Sequence, residues 1–482
     1  MKVAISYPPL DDERYPTLGQ NRQFQWFHNP SFIYPVVPAS AATLLERNGH
    51  EVLWNDAIAS RWSADRFWSY IIRERPDLIA METKTPVVSR HWEIIRRLKE
   101  ELPETVVVLF GDHVTALPQE SLDKCPVDFV LTGGDYDFLL CNLVDHIENG
   151  TALEGGFWFL REGEPCNSGP FALEHDLDSL PEVDRELTKW DLYGEHLFIE
   201  KPHTYTMVGR DCWYGKCAFC SWTTLYPGFR VRSHARYLDE IGHLVARYGI
   251  REIFDDTGTF PVGGWLERFC GGMMDRGYNE RVRLSCNMRV NAVSGEEFGA
   301  MASAGFRVLK FGLESANQKT LDRLNKGTTV EQIVDSCARA KAAGLTVHLT
   351  TMVGFPWESH QDATRTLDLC RDLLKQGHAD MLQATIAIPY PGTPLFAEAQ
   401  ENGWLRTTDW DRYDMRAPVM DCPVPDEELR RLTRSLYRAF LSPRFIARTL
   451  KNTRSLDDLR FVTRAGEAVL GHLRDFTVRR HR

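Results

Sequence analysis

Three cysteines near the middle of the chain have the type and spacing to hold an iron–sulfur cluster. Cys212, Cys217 and Cys220 lie in the segment GRDCWYGKCAFCSW, with no further cysteine or histidine close by in sequence. Structural zinc wants four protein ligands in a closed shell. A cubane cluster held by three thiolates instead leaves one iron open, and an open iron can bind a small molecule that reacts. The trio therefore favours a reactive cluster over the alternative, a zinc knuckle with a remote fourth ligand.

The composition is that of a globular enzyme with room for two or three domains. The 482 residues are 43% hydrophobic and 26% charged, and the net charge is −10. From Leu429 to Arg482 the balance reverses to 14 basic against 4 acidic residues, which predicts a solvated helical face or contact with an anionic substrate or membrane surface. No apolar run approaches the roughly 20 residues of a spanning helix, and the N-terminus resembles a strand rather than a signal peptide. We expect a cytoplasmic protein without a nucleic-acid partner.

The remaining cysteines are scattered and do not form a disulfide framework. We interpret them as ordinary core residues: Cys125, Cys141, Cys166, Cys270, Cys286, Cys337, Cys370 and Cys422.

Residues 1–150 predict a parallel sheet covered by helices on both faces. Five apolar strands alternate there with amphipathic helices, the pattern of βαβ units. Ligands of such sheets lie beyond the carboxyl ends of the strands. Those ends carry Tyr7, Asp56, Glu82, Thr83, Gly111, Asp112, His113, Thr132, Gly133 and Gly134.

The alternation stops between 151 and 205, which predicts a linker packed between domains. It resumes over 206–405, where six strands alternate with helices. Six such units predict an open, partial version of the (β/α)8 barrel, whose active residues collect at the carboxyl ends of its strands. Residues 406–482 predict a basic, helical extension. The predicted fold class is therefore α/β, with a Rossmann-like sheet, a partial barrel and a helical C-terminal extension.

The cysteine segment follows the first strand of the predicted barrel and so lies at its mouth. The later strands end in polar or glycine-containing groups, namely Asp255, Asp256, Asn287, Arg289, Gly312, Glu314 and Gly354. A ligand with an amino acid head, a ribose and a purine needs a cation for its carboxylate, a carboxylate for its amine or hydroxyls, and bare backbone for its base. The strand ends supply each of these. The alternatives are that the aspartates cap a turn and that Glu314 is a satisfied carboxylate in the barrel wall.

Several motifs in order resemble those of radical S-adenosylmethionine (SAM) enzymes, in the class whose N-terminal domain has the cobalamin-binding fold. The resemblance covers nearly the whole chain. Its carriers are the cysteine segment, FDD, FGLES, MVGFPWES and IPYPGTPLF in the barrel, and PVVPASAATLLERNGHEV, PDLIAMETKT, VVVLFGDHVTALPQE and VDFVLTGGDYD before it.

This resemblance implies a role for each matching residue. Cys212, Cys217 and Cys220 would hold a [4Fe–4S] cluster whose fourth iron SAM chelates. Phe219 would lie near the adenine, Glu314 would contact the ribose or amine, and Arg289 would contact the carboxylate. The other implied SAM-site residues are Asp255, Asp256, Asn287 and Gly354.

The resemblance also implies cobalamin at the carboxyl edge of the first sheet, near the strand-end residues Glu82 to Gly134 named above. Two features depart from the family pattern. The first cysteine gap holds four residues rather than three, and the glycine pair expected at Gly111 reads Gly-Asp. The Asp-x-His-x-x-Gly signature that supplies an axial histidine is absent after the first strand, so cobalt would have no protein histidine below it. The alternative for His113 is a hydrogen-bonded loop residue.

The implied reaction is methylation of an unactivated carbon of a small or lipid-like substrate by way of a 5′-deoxyadenosyl radical. The electron donor would be a protein such as flavodoxin or ferredoxin. The basic tail and the aromatic residues 24–27 would suit an apolar substrate at a membrane surface. The alternatives are radical cyclisation or carbon–carbon bond formation without methyl transfer, and a cobalamin- or redox-responsive binding protein.

Overall fold

A computed structural model describes residues 1–10, 16–19, 22–26, 31–194, 198–453 and 455–475 of the protein. The predicted aromatic segment 24–27 lies partly outside this range, and no side-chain contact of it is described. The strands are β1 (Lys2–Tyr7), β2 (Pro16–Gly19), β3 (Arg22–Trp26), β4 (Glu51–Asp56), β5 (Leu78–Glu82), β6 (Val106–Phe110), β7 (Phe129–Leu131), β8 (Phe157–Arg161), β9 (Glu164–Asn167), β10 (His203–Thr206), β11 (Gly209–Arg210), β12 (Arg230–Val231), β13 (Glu252–Asp255), β14 (Arg283–Met288), β15 (Phe306–Glu314), β16 (Thr346–Val353) and β17 (Met381–Ile386).

The helices lie between the strands and at the C-terminal end of the described chain. They are α1 (Val36–Arg47), α2 (Ala64–Glu74), α3 (Val88–Glu101), α4 (Asp112–Ala116), α5 (Pro118–Lys124), α6 (Tyr136–Asn149), α7 (Trp222–Leu225), α8 (His234–Tyr248), α9 (Gly264–Asp275), α10 (Gly295–Ser303), α11 (Gln318–Arg323), α12 (Val330–Ala342), α13 (His360–Gln376), α14 (Pro394–Glu401), α15 (Asp426–Tyr437), α16 (Pro443–Asn452) and α17 (Leu456–Asp475). None of those in the described ranges is long and apolar enough to cross a membrane.

The first sheet has the order β4-β1-β5-β6-β7-β8-β9, and its first five strands are parallel. The chain reverses direction across the sheet between β1 and β5, the point at which doubly wound sheets bind ligands. Apolar side chains of the strands are buried on both faces against the helices, as the continuous apolar runs predicted.

Residues 151–205 do more than link two domains. β8 and β9 add antiparallel strands to the edge of the first sheet, because the short strand β7 leaves its outer hydrogen-bonding groups free for a partner. The rest of the segment packs between the two sheets. The buried guanidinium of Arg185 donates to the Thr204 hydroxyl at 2.5 Å and the Tyr205 carbonyl at 2.8 Å, while the Tyr193 hydroxyl donates to Asp56 at 2.8 Å.

The second sheet is all parallel and runs β10-β13-β14-β15-β16-β17, which confirms the six predicted strands. Its last strands alternate between two environments. In β17, Leu382 and Ala384 pack in the core beneath the outer helices, whereas Gln383 and Thr385 face the interior of the curved sheet. A partial barrel has an open side, and here the C-terminal helices lie across it. The Tyr437 hydroxyl of α15 bonds to Ala384 of β17, and Arg464 of α17 reaches the Phe198 carbonyl beside β10 at 2.9 Å.

Candidate active site

The cysteine loop, residues 211–221, is fixed from several sides. It leaves β11, which pairs with β12 as a short antiparallel ribbon rather than continuing β10. At its centre the Ala218 amide donates to the Leu324 carbonyl, and the Ala218 carbonyl accepts from the Leu395 amide, both at 2.8 Å. The Tyr214 hydroxyl donates to the Asn325 carbonyl at 2.7 Å. Two segments distant in sequence, at residues 324–325 and at Leu395, therefore hold the loop in one position.

The three cysteines line one cavity of about 1070 Å³ at the mouth of the second sheet. All three are half-buried and none is in a disulfide. Burial raises the pKa of the Cys217 and Cys220 thiols, so a bound cation must offset the cost of forming their thiolates. In the described part of the chain, no three His, Cys, Asp or Glu side chains lie close enough together to bind a single ion. A cubane cluster does not require this, because each of its thiolates binds a different iron.

A buried ion pair stands beside the cysteines. The Lys326 ammonium lies 2.8 Å from the Glu314 carboxylate and 5.6 Å from the centre of the Phe219 ring. Burial lowers the pKa of this lysine, but Glu314 and the neighbouring Cys217 outweigh burial and raise it to about 12. Lys326 therefore keeps its charge and offers a fixed cation to a carboxylate in the cavity. The sequence analysis missed it, although the Asn-Lys-Gly turn twelve residues after Glu314 could have indicated it.

Bare backbone adjoins this pair. A Cβ atom at Gly312 would lie 2.1 Å from Glu314 Oε1 and 2.6 Å from Lys326 Nζ, which is too close for either atom. Gly312 thus gives the ion pair the space that a side chain would fill.

Arg289, predicted to bind a carboxylate, lines the same cavity. Its guanidinium stacks 3.6 Å from the centre of the Tyr214 ring and donates to the Lys326 carbonyl and, at 2.9 Å, to the Gly327 carbonyl. Arg289 consequently holds the Lys326 turn against the cysteine loop as well as facing the cavity.

The structure brings four of the seven predicted SAM residues into the cavity wall, namely Phe219, Asn287, Arg289 and Glu314. Three are elsewhere. Asp255 accepts from the Thr206 hydroxyl and the Val208 amide at 2.9 Å, and from the Thr257 amide in the turn after β13 at 3.2 Å, which is the turn-capping alternative given above. Asp256 accepts from Asn287 at 3.3 Å. Gly354 leaves room for Leu429 of α15, 3.2 Å from where a Cβ would lie.

The carboxyl edge of the first sheet is closed by the protein's own side chains. A Cβ at Gly134 would lie 2.0 Å from the Tyr226 ring, and one at Gly133 would lie 2.6 Å from the Phe171 ring. His113 is fully buried, with its ring nitrogens 3.2 Å from the Thr85 hydroxyl and 3.0 Å from Glu120. This is the hydrogen-bonded alternative for His113.

The other predicted residues of this edge are also engaged. Glu82 accepts from the Tyr7 hydroxyl at 2.6 Å, and Thr132 donates to the Gly156 carbonyl at 2.8 Å. Asp112 lies 3.9 Å from the buried Lys84 ammonium. A Cβ at Gly111 would lie 2.1 Å from the Thr83 carbonyl oxygen. Oγ1 of Thr83 is buried without a hydrogen-bond partner, and Oε1 of Glu82 lies 3.4 Å from the Lys84 ammonium.

A gap remains between this edge and the cysteine loop. Lys84 and Asp112 line it on one side, and Trp222 and Tyr390 on the other. Its volume is about 160 Å³, whereas pockets for drug-sized ligands range from about 300 to 1000 Å³. A corrin is larger than such a ligand, so cobalamin would need this gap to widen. Cys220 and Trp222 line both the gap and the larger cavity.

A buried ionic network joins the two edges. Asp135, next to Gly134, accepts from Arg210 of β11 at 2.9 Å, from Arg230 of β12 at 2.6 Å and from His175 at 3.0 Å. Burial alone would raise the pKa of Asp135, but these partners lower it well below its usual value. The ribbon that carries the cysteine loop is thereby tied to the first sheet.

Comparison with known proteins identifies this arrangement. The family model of the Radical SAM superfamily matches residues 206–370, which hold the cysteine loop and Glu314. Residues 206–370 therefore form a radical SAM domain. The superfamily's cofactors, a [4Fe–4S] cluster and SAM, suit the donors present: three thiols for a cluster with one open corner, and a cation, a carboxylate and a bare glycine beside it.

Relatives and structural neighbours span both halves of the enzyme. An uncharacterised methyltransferase of Pyrococcus horikoshii is 28% identical over 93% of this chain and 95% of its own. The anaerobic magnesium-protoporphyrin IX monomethyl ester cyclase of Rubrivivax gelatinosus is 25% identical over 86% of this chain and 74% of its own. The cobalamin-dependent SAM radical enzyme OxsB, solved with aqua-cobalamin and SAM, matches with a TM-score of 0.69 at 14% identity, over 98% of this chain and 71% of OxsB. Both sheets therefore share the fold of that enzyme.

Proposed function

We propose that the enzyme methylates an unactivated carbon of a small-molecule substrate, with SAM as both methyl donor and radical source. The observation that carries this proposal is the cysteine trio at the mouth of a large cavity, beside the Lys326–Glu314 pair. The methyltransferase name of the Pyrococcus relative supports the outcome of the reaction.

Each side chain of the mouth has a distinct role in this proposal. When bound, the reduced cluster supplies the electron that splits SAM into methionine and a 5′-deoxyadenosyl radical, which removes hydrogen from the substrate. Cys212, Cys217 and Cys220 hold the cluster. Lys326 and Arg289 orient the SAM carboxylate, and Glu314 accepts from the amine or ribose hydroxyls. The cysteine loop would hold the three thiolates at the cavity wall.

Cobalamin is the second cofactor that the fold shared with OxsB predicts. It would lie between the two strand edges, so its binding requires the gap of about 160 Å³ to widen. We therefore derive no step through it, and the corrinoid content of the anaerobically purified protein is the direct measurement.

A second candidate is radical oxidative cyclisation or carbon–carbon bond formation without methyl transfer. Hydrogen abstraction needs only the cluster and SAM, whereas methyl transfer also needs a methyl carrier. The cyclase of Rubrivivax gelatinosus is a relative at 25% identity.

The experiment is anaerobic reconstitution, reduction, and incubation with SAM. We expect 5′-deoxyadenosine from the wild type and none from Cys217→Ala. S-adenosylhomocysteine alongside it supports methyl transfer, whereas 5′-deoxyadenosine alone with no corrinoid absorbance supports the second candidate. Neither product, with the cluster intact, would contradict both and indicate a binding protein.

Partners and location follow from the cluster chemistry. A low-potential cluster needs single electrons from a small redox protein, so we propose flavodoxin or ferredoxin as the donor in the reducing cytoplasm. We also propose peripheral membrane contact through the C-terminal helices. Of the nine exposed large apolar side chains in the described residues, six lie between Leu441 and Leu470, among basic residues. Co-sedimentation with anionic vesicles tests this contact.

A further inference from the structure

The cavity continues far beyond the mouth. It runs from the cysteines along the inner faces of β15, β16 and β17 to the C-terminal helices, and its volume is about 1070 Å³. This exceeds the roughly 300 to 1000 Å³ of pockets that hold one drug-sized ligand. There is room for SAM at the mouth and for a second molecule beyond it.

The two walls of this inner part differ in chemistry. The barrel wall is polar, since alternate residues of the strands turn toward the cavity: Lys310, His348, Thr350 and Gln383. The Lys310 ammonium lies 3.5 Å from the Gln383 side-chain oxygen. The opposite wall is formed by α16 and α17 and is largely apolar, with Phe445, Ile446, Phe461, Val462, Ala465 and Val469; its polar members are Arg448, Thr449, Asp458 and His472.

The apolar wall reaches the surface. Leu441, Ile446 and Leu450 line the cavity and are also 49%, 44% and 57% exposed. Large aliphatic side chains at a cavity rim cost free energy in water, about 25 cal/mol for each Å² left exposed. A ligand with an apolar tail that passes between them would remove that cost.

We propose that the substrate is an amphipathic molecule with an apolar tail. Its tail lies against α16 and α17 and leaves between Leu441, Ile446 and Leu450, while its polar part accepts hydrogen bonds from the barrel wall at Lys310. This inference deepens the proposed function and rests on it for the ligand's role as substrate.

The test uses the cluster-loaded enzyme with SAM and the fluorescent long-chain acid cis-parinaric acid as probe. We expect saturable binding at one site per chain. Palmitic acid should compete, whereas butyric acid, which has the same head and almost no tail, should not. The probe is offered in solution and in phosphatidylcholine vesicles. Binding from either source supports the inference, and transfer only from vesicles identifies the bilayer as the source.

Two substitutions in the apolar wall locate the site. Ala465→Trp and Val462→Trp each place a bulky ring in the cavity and should weaken probe binding by about tenfold or more. Leu459→Trp on the same helix is the control, because Leu459 is 49% exposed and does not line the cavity. Iron content and SAM affinity check that each variant is folded.

The outcomes separate this inference from the proposed function. Equal probe binding by both cavity variants and the control, or competition by butyric acid, would overturn the amphipathic assignment. A wild type that binds the probe as expected but never cleaves SAM would overturn the proposed function and leave the binding site standing.

Discussion

The parallel strands of the two sheets end in edges of similar composition, but the space beside the two edges differs. The edge of β13–β17 surrounds a cavity of about 1070 Å³, while the edge of β1, β5, β6 and β7 adjoins a gap of about 160 Å³. Both edges carry glycines and charged residues. At the first sheet the glycines contact buried aromatic rings, and at the second Gly312 adjoins the movable ends of Glu314 and Lys326.

The difference lies in what packs against each edge rather than in the glycines themselves. Tyr226 and Phe171 fill the space at the first edge, and Asp135 ties that edge to the cysteine loop. The first sheet therefore supports the cluster site in the described arrangement.

The largest effect is expected from a substitution in the cysteine loop. Cys217→Ala should lower the iron content from about four per chain to about none, because two thiolates do not retain a cubane. Iron and sulfide analysis with the visible absorbance measures this. Cys166→Ala is the control, since Cys166 is also half-buried but lies on β9. Equal iron in the two variants would contradict the assignment.

A substitution at the filled edge of the first sheet should lower the stability of the fold. Gly134→Ala places a methyl group 2.0 Å from the fully buried Tyr226 ring, which should lower the free energy of unfolding by about 3 kcal/mol. Chemical denaturation measures it. Gly271→Ala in α9, where no atom lies within 4 Å of the new Cβ, should be neutral or slightly stabilising. An equally neutral Gly134→Ala would mean that this edge is open.

Lys326→Met should weaken SAM binding by about thirtyfold, because a charged hydrogen bond to a carboxylate contributes about 2 kcal/mol. Equilibrium binding of SAM to the cluster-loaded enzyme measures the change. Lys341→Met removes a different cavity lysine, paired with Asp380 at 2.7 Å, and should leave SAM affinity unchanged. Similar losses of SAM affinity in the two variants would indicate a general charge effect and contradict a specific role for Lys326.

Gly312→Ala makes at the edge of the second sheet the same change that Gly134→Ala makes at the edge of the first. Its methyl group meets only the far ends of Glu314 and Lys326, which can move aside, so stability should change by less than about 1 kcal/mol. Displacing these groups should still weaken SAM binding by about tenfold. A large loss of stability with unchanged SAM affinity would reverse the contrast between the edges.

The smallest effect concerns the network that joins the edges. The hydrogen bond to Asp135 raises the pKa of His175 above 6.5 against the opposing effect of burial, and Glu154 and Asp137 add to the increase. A raised pKa in the folded state stabilises the fold below the unfolded value, and this contribution is lost as the pH rises through the folded value. The melting temperature should therefore fall from about pH 6 to about pH 8 more steeply than in His175→Gln. Parallel profiles would show that His175 does not contribute.

The sequence predicted the elements well where local signals were strong. The helix Val330–Ala342 begins directly after Thr329, which forms with Gln332 a capping box that is visible in the sequence. β8 and β9 were not placed in the first sheet, since their pairing depends on the exposed side of β7. Polar and apolar residues alternate along β16 and β17, and this pattern could have indicated that one face of these strands lines a cavity.

The site was predicted only in part for a related reason. The cysteine spacing is local and could be identified from the sequence. By contrast, the Lys326–Glu314 pair depends on how the chain turns after β15, and the filling of the first edge depends on Tyr226 and Phe171 from distant segments. Such contacts are set by packing between elements, which one sequence does not reveal.

The central claim is that three thiolates leave one iron open for SAM. The most direct measurement is the electron paramagnetic resonance spectrum of the reduced, anaerobically reconstituted enzyme before and after addition of SAM. The account predicts a four-iron cluster whose signal changes when SAM binds to the open iron. A protein that contains zinc instead of iron, or a cluster signal that SAM leaves unchanged, would contradict it.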